Sequence, residues 1–364
     1  MELIPAQYYE PLYLLIVTVL SFLFFSGYRY TSNDSLGLRD QGVHGGFIIC
    51  LFMILFIGTR PISEVFVDMT QYVGILYREG GLPFKFDWQE DNIIYNNLMY
   101  YFASINFPPI LFYILIAGIY YGCVYWACRI MFPNTSSLAF VVFLAAFSSF
   151  SYGTNGIKAG AAASVFILAI AYKKKLLFSL ILVLLSIGIH HSMVLPAVAY
   201  ICVLLYHKPI VYLLFWLFCL FIAAAHITSF QNLFAGLADE KGARYLTATD
   251  GFLTGFRLDF ILYSAMPIVV GWYSIYKKRI QSDFYQILLC LYVLINGVWM
   301  LCMYAEYTNR IAYLSWALYP FVLIYPVLNK LSWAGNKYRA FRIIAYLHLG
   351  FTLFMETVYY GILK

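Results

Sequence analysis

The sequence predicts an all-α, polytopic membrane protein of about 12 transmembrane helices, with a range of roughly 10–14. Three observations lead there. Of 364 residues, 63% are apolar and 11% charged, whereas a soluble domain carries roughly 25% charged residues. The mean hydropathy is +0.78. Apolar runs near the length of a membrane crossing recur along the whole chain, and in lipid such runs satisfy their backbone hydrogen bonds as helices. Aromatic residues make up 20%, with 34 Tyr and 32 Phe, and interfacial anchoring accounts for part of that excess.

The crossings fall near 11–27, 43–59, 107–128, 136–152, 157–172, 175–189, 192–206, 209–226, 258–276, 284–304, 310–328 and 342–362, as one transmembrane domain over 1–364. A sizeable outer loop is expected between helices 2 and 3, and another between helices 8 and 9. The opening MELIPAQYYE is acidic, so the first apolar run reads as a retained span rather than a cleavable signal. The connecting segments alternate in charge. One set holds Arg29, Arg39, Arg129, Lys173, Lys174, Lys175, Lys208, Lys277, Lys278, Arg279, Lys330, Lys337, Arg339 and Arg342, which is 14 basic residues against three acids, Asp34, Asp40 and Asp283. The other set holds the remaining nine basic residues and 14 of the 17 acids. The positive-inside rule places the first set in the cytoplasm and both termini outside.

The stretch NIIYNNLMYYFASI, 92–105, is too short and polar for a comfortable crossing, and Pro108-Pro109 ends it. It reads as a helix in the outer interface with Tyr95, Met99 and Phe102 on one face; a re-entrant segment is the alternative. No internal repeat is visible, so the two-halves signature of many transporters is absent. The seven cysteines sit in apolar stretches without CxxC spacing and read as buried free thiols. No Gly-rich phosphate loop is present, so no nucleotide is expected, and nucleic acid is not an expected partner.

Polar residues close to span ends converge on the outer set. Arg60 closes the second span in GTRPISEVFVDMTQY, followed by Asp68 and Tyr72. Lys158 opens a helix in TNGIKAGAAAS, where Ala159, Ala163, Gly160 and Ser164 give faces of small residues suited to close helix packing. Two histidines, His190 and His191, stand in GIHHSMVLP between two apolar runs. Arg244 lies in DEKGARYLTATDGF, Arg257 and Asp259 begin the ninth span, and Glu306 and Arg310 flank YAEYTNRIAYLS. Each of these taken alone reads equally as a snorkelling or capping residue. Together they point to an outer-face site for an anionic, polar ligand. HHS differs from acyltransferase motifs, in which His-His is followed by Asp, and no third ligand stands at metal spacing.

The order of these features resembles the EpsG family of bacterial polysaccharide polymerases, the Wzy-like enzymes. Three pieces carry the resemblance: Arg60 with Asp68 and Tyr72; the centre NGIKAGAAASVFILAIAYKKKLLFSLILVLLSIGIHHS; and NRIAY with Arg310 and Tyr313. The family's central arginine is Lys158 here, which keeps the charge and loses the planar fork. The resemblance implies a glycosyltransferase of the bacterial cytoplasmic (inner) membrane. It joins oligosaccharide repeat units carried on polyprenyl pyrophosphate, at the outward face and without a cofactor or metal. The lipid-linked oligosaccharide and membrane lipid are the expected partners, with a flippase and a chain-length regulator beside them. Arg60, Tyr72, Lys158, Arg244, Arg257 and Arg310 are then expected to bind pyrophosphate or sugar, with Arg310 and Lys158 foremost. His191 is the expected general base and His190 its orienting neighbour, with Asp68 and Glu306 as competing bases. A polysaccharide ligase shares the donor chemistry. A secondary transporter would need mid-span charge, of which there is little, and a membrane acyltransferase would need the missing Asp.

Overall fold

Runs of Leu, Ile, Phe and Ala close their hydrogen bonds locally, and every described element of the protein is helical. The structure, a computed structural model, describes residues 4–27, 43–235, 244, 246–247, 255–329 and 337–362. Arg29, Asp34, Arg39, Asp40 and Lys330, and most of the expected outer loop at 236–254, lie outside the described residues. Six helices among the described residues are long and apolar enough to cross a membrane: Ala6–Gly27, Pro109–Met131, Leu258–Lys277, Asp283–Leu301, Thr308–Leu328 and Tyr338–Tyr359. Gly45–Gly58, Ile157–Ala171, Leu176–Ile189, His191–Leu205 and Pro209–Ala224 are apolar but shorter. The chain is a multi-pass helical membrane protein. All seven cysteines are free, as expected; five are buried, whereas Cys123 is half-buried and Cys202 exposed, which departs from the expected burial.

By its contacts the chain forms two compact units. The first comprises Met1–Met193, Val327–Asn329 and Ala334–Lys364; the second comprises Val194–Pro326 and Lys330–Trp333.

In the first unit the helices are α1 (Tyr9–Gly27), α2 (Val43–Gly58), α3 (Val67–Arg78), α4 (Ile93–Ser104), α5 (Pro109–Met131), α6 (Ser136–Leu144), α7 (Ser149–Thr154), α8 (Ile157–Ala171) and α9 (Leu176–Ile189), with Lys337–Leu353 returning at the end of the chain. The expected outer loop after the second span contains two helices, α3 and α4. The expected crossing at 136–152 is broken between α6 and α7. A break inside an apolar core frees carbonyls that need donors. Tyr13 Oη bonds Leu144 O at 2.7 Å, His348 Nε2 bonds Val142 O at 3.1 Å, Thr352 Oγ1 bonds Ala145 O at 2.8 Å and Tyr120 Oη bonds Ser149 O at 3.1 Å. The break lets the chain turn so that Thr154 and Lys158 arrive at one end of the unit.

Helices α8 and α9 form a tight hairpin across the turn at Tyr172–Lys175. Ser179 and Ser186 on α9 donate to Ala169 O (2.7 Å) and Ala162 O (2.8 Å) on α8. Small residues on α8 allow that approach. On another side of α8, Gly160 faces α7, where a Cβ would stand 2.4 Å from Tyr152 O. Since α8 begins and α9 ends at the same end of the hairpin, Lys158 and the two histidines share that end.

In the second unit the apolar helices are tied by a buried polar network. Asn296 accepts from Trp216 Nε1 (2.8 Å) and donates to Ser264 Oγ and Ser315 Oγ (3.0 Å each), while Trp316 Nε1 also donates to Ser264 Oγ (2.8 Å). Every amide atom of Asn296 in that network is used, which fixes the register of four helical segments.

Candidate active site

The first unit gathers its polar residues where α2, α7 and α9 end and α3, α4, α5 and α8 begin. At the end of α2, Gly58 has no side chain, and a Cβ there would meet Ile114 Cα at 2.7 Å. Just past this close contact α2 ends, and Arg60 folds inward. Its Nη1 donates to Ile57 O (2.8 Å) and its Nη2 to Thr154 O (2.9 Å), the carbonyl at the end of α7. The Phe66 and Tyr113 rings stand 5.2 Å from the guanidinium carbon. Arg60 is 1% exposed, and its Nε has no hydrogen-bond partner. Among the described residues no carboxylate pairs with it. Burial pulls its pKa down to about 10, which leaves it cationic at neutral pH. It is thus a buried charge held by carbonyl dipoles and aromatic faces.

Beside it, Asp68 in the first turn of α3 and Tyr72 one turn later occupy one face of that helix. The Tyr72 ring lies 5.6 Å from that of Tyr95 on α4. Lys158 Nζ sits 5.4 Å from the centre of the Tyr95 ring and 6.0 Å from that of Tyr72. Burial pushes the Tyr95 hydroxyl well above its ordinary value, so the ring carries no charge of its own. Tyr95 and Met99 are buried in the unit, and Phe102 is half-buried, so this face of 92–105 packs inside the protein. Half-buried Lys158 rests on this aromatic floor.

The two histidines are held differently. His190 ends α9 in extended backbone, and its Nδ1 accepts the Ser192 N–H at 3.1 Å. An accepting Nδ1 puts the proton of the neutral ring on Nε2. His191 begins a 3-10 turn, and its N–H donates to Asn92 Oδ1 at 3.0 Å, just ahead of α4. A Cβ on Gly188 would stand 2.5 Å from Ile94 Cδ1, so α9 and α4 meet closely here. The His191 ring is half-buried and makes no hydrogen bond among the described residues. Of the two imidazoles, His191 keeps both ring nitrogens available, whereas one nitrogen of His190 is committed.

The second unit holds the other expected residues. Arg257 is 7% exposed, forks onto Asp259 through Nε (2.9 Å) and Nη2 (2.5 Å), and stacks 3.7 Å from the Phe260 ring. Its charge is already matched by that carboxylate, which makes it a weaker anion ligand than its position in the sequence implies. Arg310 is exposed, with its guanidinium carbon 4.8 Å from the centre of the Tyr307 ring. Tyr307 takes the left-handed conformation, φ 51, as the chain turns into Thr308–Trp316. Glu306, half-buried, precedes it. Arg244 is exposed, and Leu246 close by packs on Cys302, Ala305 and Ile311, which lays the Arg244 segment along the turn that carries Glu306 and Arg310.

Phe66, Asn92, Tyr113 and Thr154 were not singled out from sequence, and Tyr95 was read only as an interfacial residue. Asn92 carried one signal, an Asn immediately ahead of a helix start. Among the described residues, no three His, Cys, Asp or Glu side chains gather in a way that could hold a metal ion.

Residues 46–363 match the EpsG family. No curated protein and no solved structure matches the chain.

Proposed function

Since the chain belongs to the EpsG family, whose members are Wzy-type polysaccharide polymerases, we propose that it joins polyprenyl-pyrophosphate-linked oligosaccharide repeat units at the outer face of the bacterial cytoplasmic membrane. In this reading about twelve helical segments cross the bilayer, and the first unit's polar end faces outward. The observation that carries the proposal is the arrangement at that end. Lys158 stands on the Tyr95–Tyr72 floor, at the same end of the α8–α9 hairpin as His191.

A sugar hydroxyl of one repeat unit attacks the anomeric carbon of another unit. The new bond forms between that oxygen and the anomeric carbon. The bond from the anomeric carbon to the pyrophosphate oxygen breaks, and polyprenyl pyrophosphate leaves with the electron pair. Lys158 stabilises the negative charge that grows on the leaving group. His191 takes the hydroxyl proton on a ring nitrogen, for which an imidazole is suited near neutral pH. His190, with its Nε2–H outward from the Nδ1 bond, donates rather than accepts. Asp68 is the alternative base in this unit. Arg60 contributes fixed positive potential from behind the Phe66 and Tyr113 rings. Arg244 and Arg310 are exposed cations suited to an anionic glycan or phosphate, and Glu306 lies in the turn ahead of Arg310.

Purified protein supplied only with lipid-linked repeat units is expected to produce a ladder of longer lipid-linked chains. A single transfer to an unrelated acceptor would identify a ligase. Accumulation of unchanged substrate across a sealed membrane would identify a transporter.

A further inference from the structure

The segment Leu82–Glu90 is a strap laid antiparallel along α4. Gly81, at φ +72, turns the chain into it, and the Gly81 N–H bonds Ala103 O at 3.2 Å. Phe84 packs edge-on against Tyr101, ring centres 5.6 Å apart. The Asp87 N–H donates to Asn97 Oδ1 (2.7 Å), and Asn97 Nδ2 donates back to Asp87 O (2.8 Å). Glu90 accepts from Asn96 Nδ2 and Tyr100 Oη, both at 2.6 Å. The strap is therefore clamped over its length and uses up the polar face of α4.

Leu82, Phe84, Phe86 and Trp88 are large, apolar and exposed, Trp88 at 79%, with Pro83, Lys85, Asp87 and Gln89, also exposed, between them. The Phe86 and Trp88 rings meet, 4.6 Å between centres. A fixed row of four large apolar side chains left in water is penalised in proportion to its area.

We infer that this row is a bilayer anchor, seated at the boundary between headgroups and acyl chains. Two features select the bilayer over a glycan. The row is continuous with the lipid-facing surface of a span: Phe84 touches Tyr101, and Tyr101, Ile105, Ile110 and Leu111 are exposed up to and into the head of α5. Leu82, Phe84 and Phe86 also carry no polar group with which to bind sugar hydroxyls, whereas they suit the interface. The anchor sets the height of α4, which carries Tyr95 and is preceded by Asn92. It therefore holds the candidate site at headgroup level, where the pyrophosphate of a lipid-linked donor lies; this consequence rests on the function proposed above.

The test needs no substrate, so its failure is separate from failure of the polymerase reading. Full-length protein and its Trp88→Phe variant are placed in phosphatidylcholine bilayers, and the difference in tryptophan emission is recorded. Emission from Trp88 should fall at least about twofold with lipids brominated near the top of the acyl chains and resist aqueous iodide. A tryptophan moved to the neighbouring row position, Phe86→Trp in the Trp88→Phe background, should behave alike. Emission quenched by iodide and indifferent to brominated lipid would overturn the inference. So would emission that responds to soluble oligosaccharide in place of lipid.

Discussion

Replacing Lys158 by Ala is expected to slow chain elongation by roughly ten- to a hundredfold, because a charge-assisted contact to phosphate is worth about 1.5–3 kcal/mol. The fold should survive the change. Lys158 is half-buried at the start of α8, and its ring contacts are those of a cation lying over two tyrosines. The thermal unfolding midpoint should therefore move little while turnover collapses. Lys158→Arg keeps the charge and adds a planar fork, and it is expected to retain polymerisation. Wild-type elongation by Lys158→Ala in folded protein would remove this residue from the site.

Arg60→Ala should act through stability first. It removes the donors to Ile57 O and Thr154 O and empties the space between Phe66 and Tyr113. Unmade buried hydrogen bonds and the cavity together cost about 3 kcal/mol or more. The same bonds tie the end of α2 to Thr154, four residues before Lys158, so elongation is expected to fall along with stability. Arg60→Lys keeps a cation near both rings and forfeits the two-carbonyl bridge, so an intermediate unfolding midpoint is expected. An unchanged midpoint in Arg60→Ala with elongation lost would mean that the guanidinium meets substrate directly rather than supporting the site from behind.

The apolar segments were legible because composition and run length alone dictate helices in lipid. The break at Ala145 was not, since the groups that satisfy it come from Tyr13, His348 and Thr352, far away in sequence. The strap and α3 were also hidden. The polar and aromatic residues of the strap read as loop until Asn97 and Glu90 are seen to clamp it to α4. Charge near a span end and the family resemblance singled out Lys158, Tyr72 and the histidines as candidates. They could not show that Arg60 is sealed behind two rings or that Asp259 already engages Arg257. They favoured His191 over His190 as the base but could not show what sets the two imidazoles apart. That distinction depends on the Ser192 N–H for His190 and on Asn92, 99 residues away, for His191.

The most direct measurement is photo-crosslinking of the intact protein with a polyprenyl pyrophosphate that carries a photoreactive group beside its phosphates, followed by mapping of the adducts. If Lys158 receives the leaving group, adducts should fall on peptides containing Lys158 and His190–His191. Unlabelled polyprenyl pyrophosphate should compete for them, and they should diminish in Lys158→Ala. Adducts confined to the lysine-rich turn at 173–175, or to the segments carrying Arg244 and Arg310, would contradict the placement of the transfer site in the first unit.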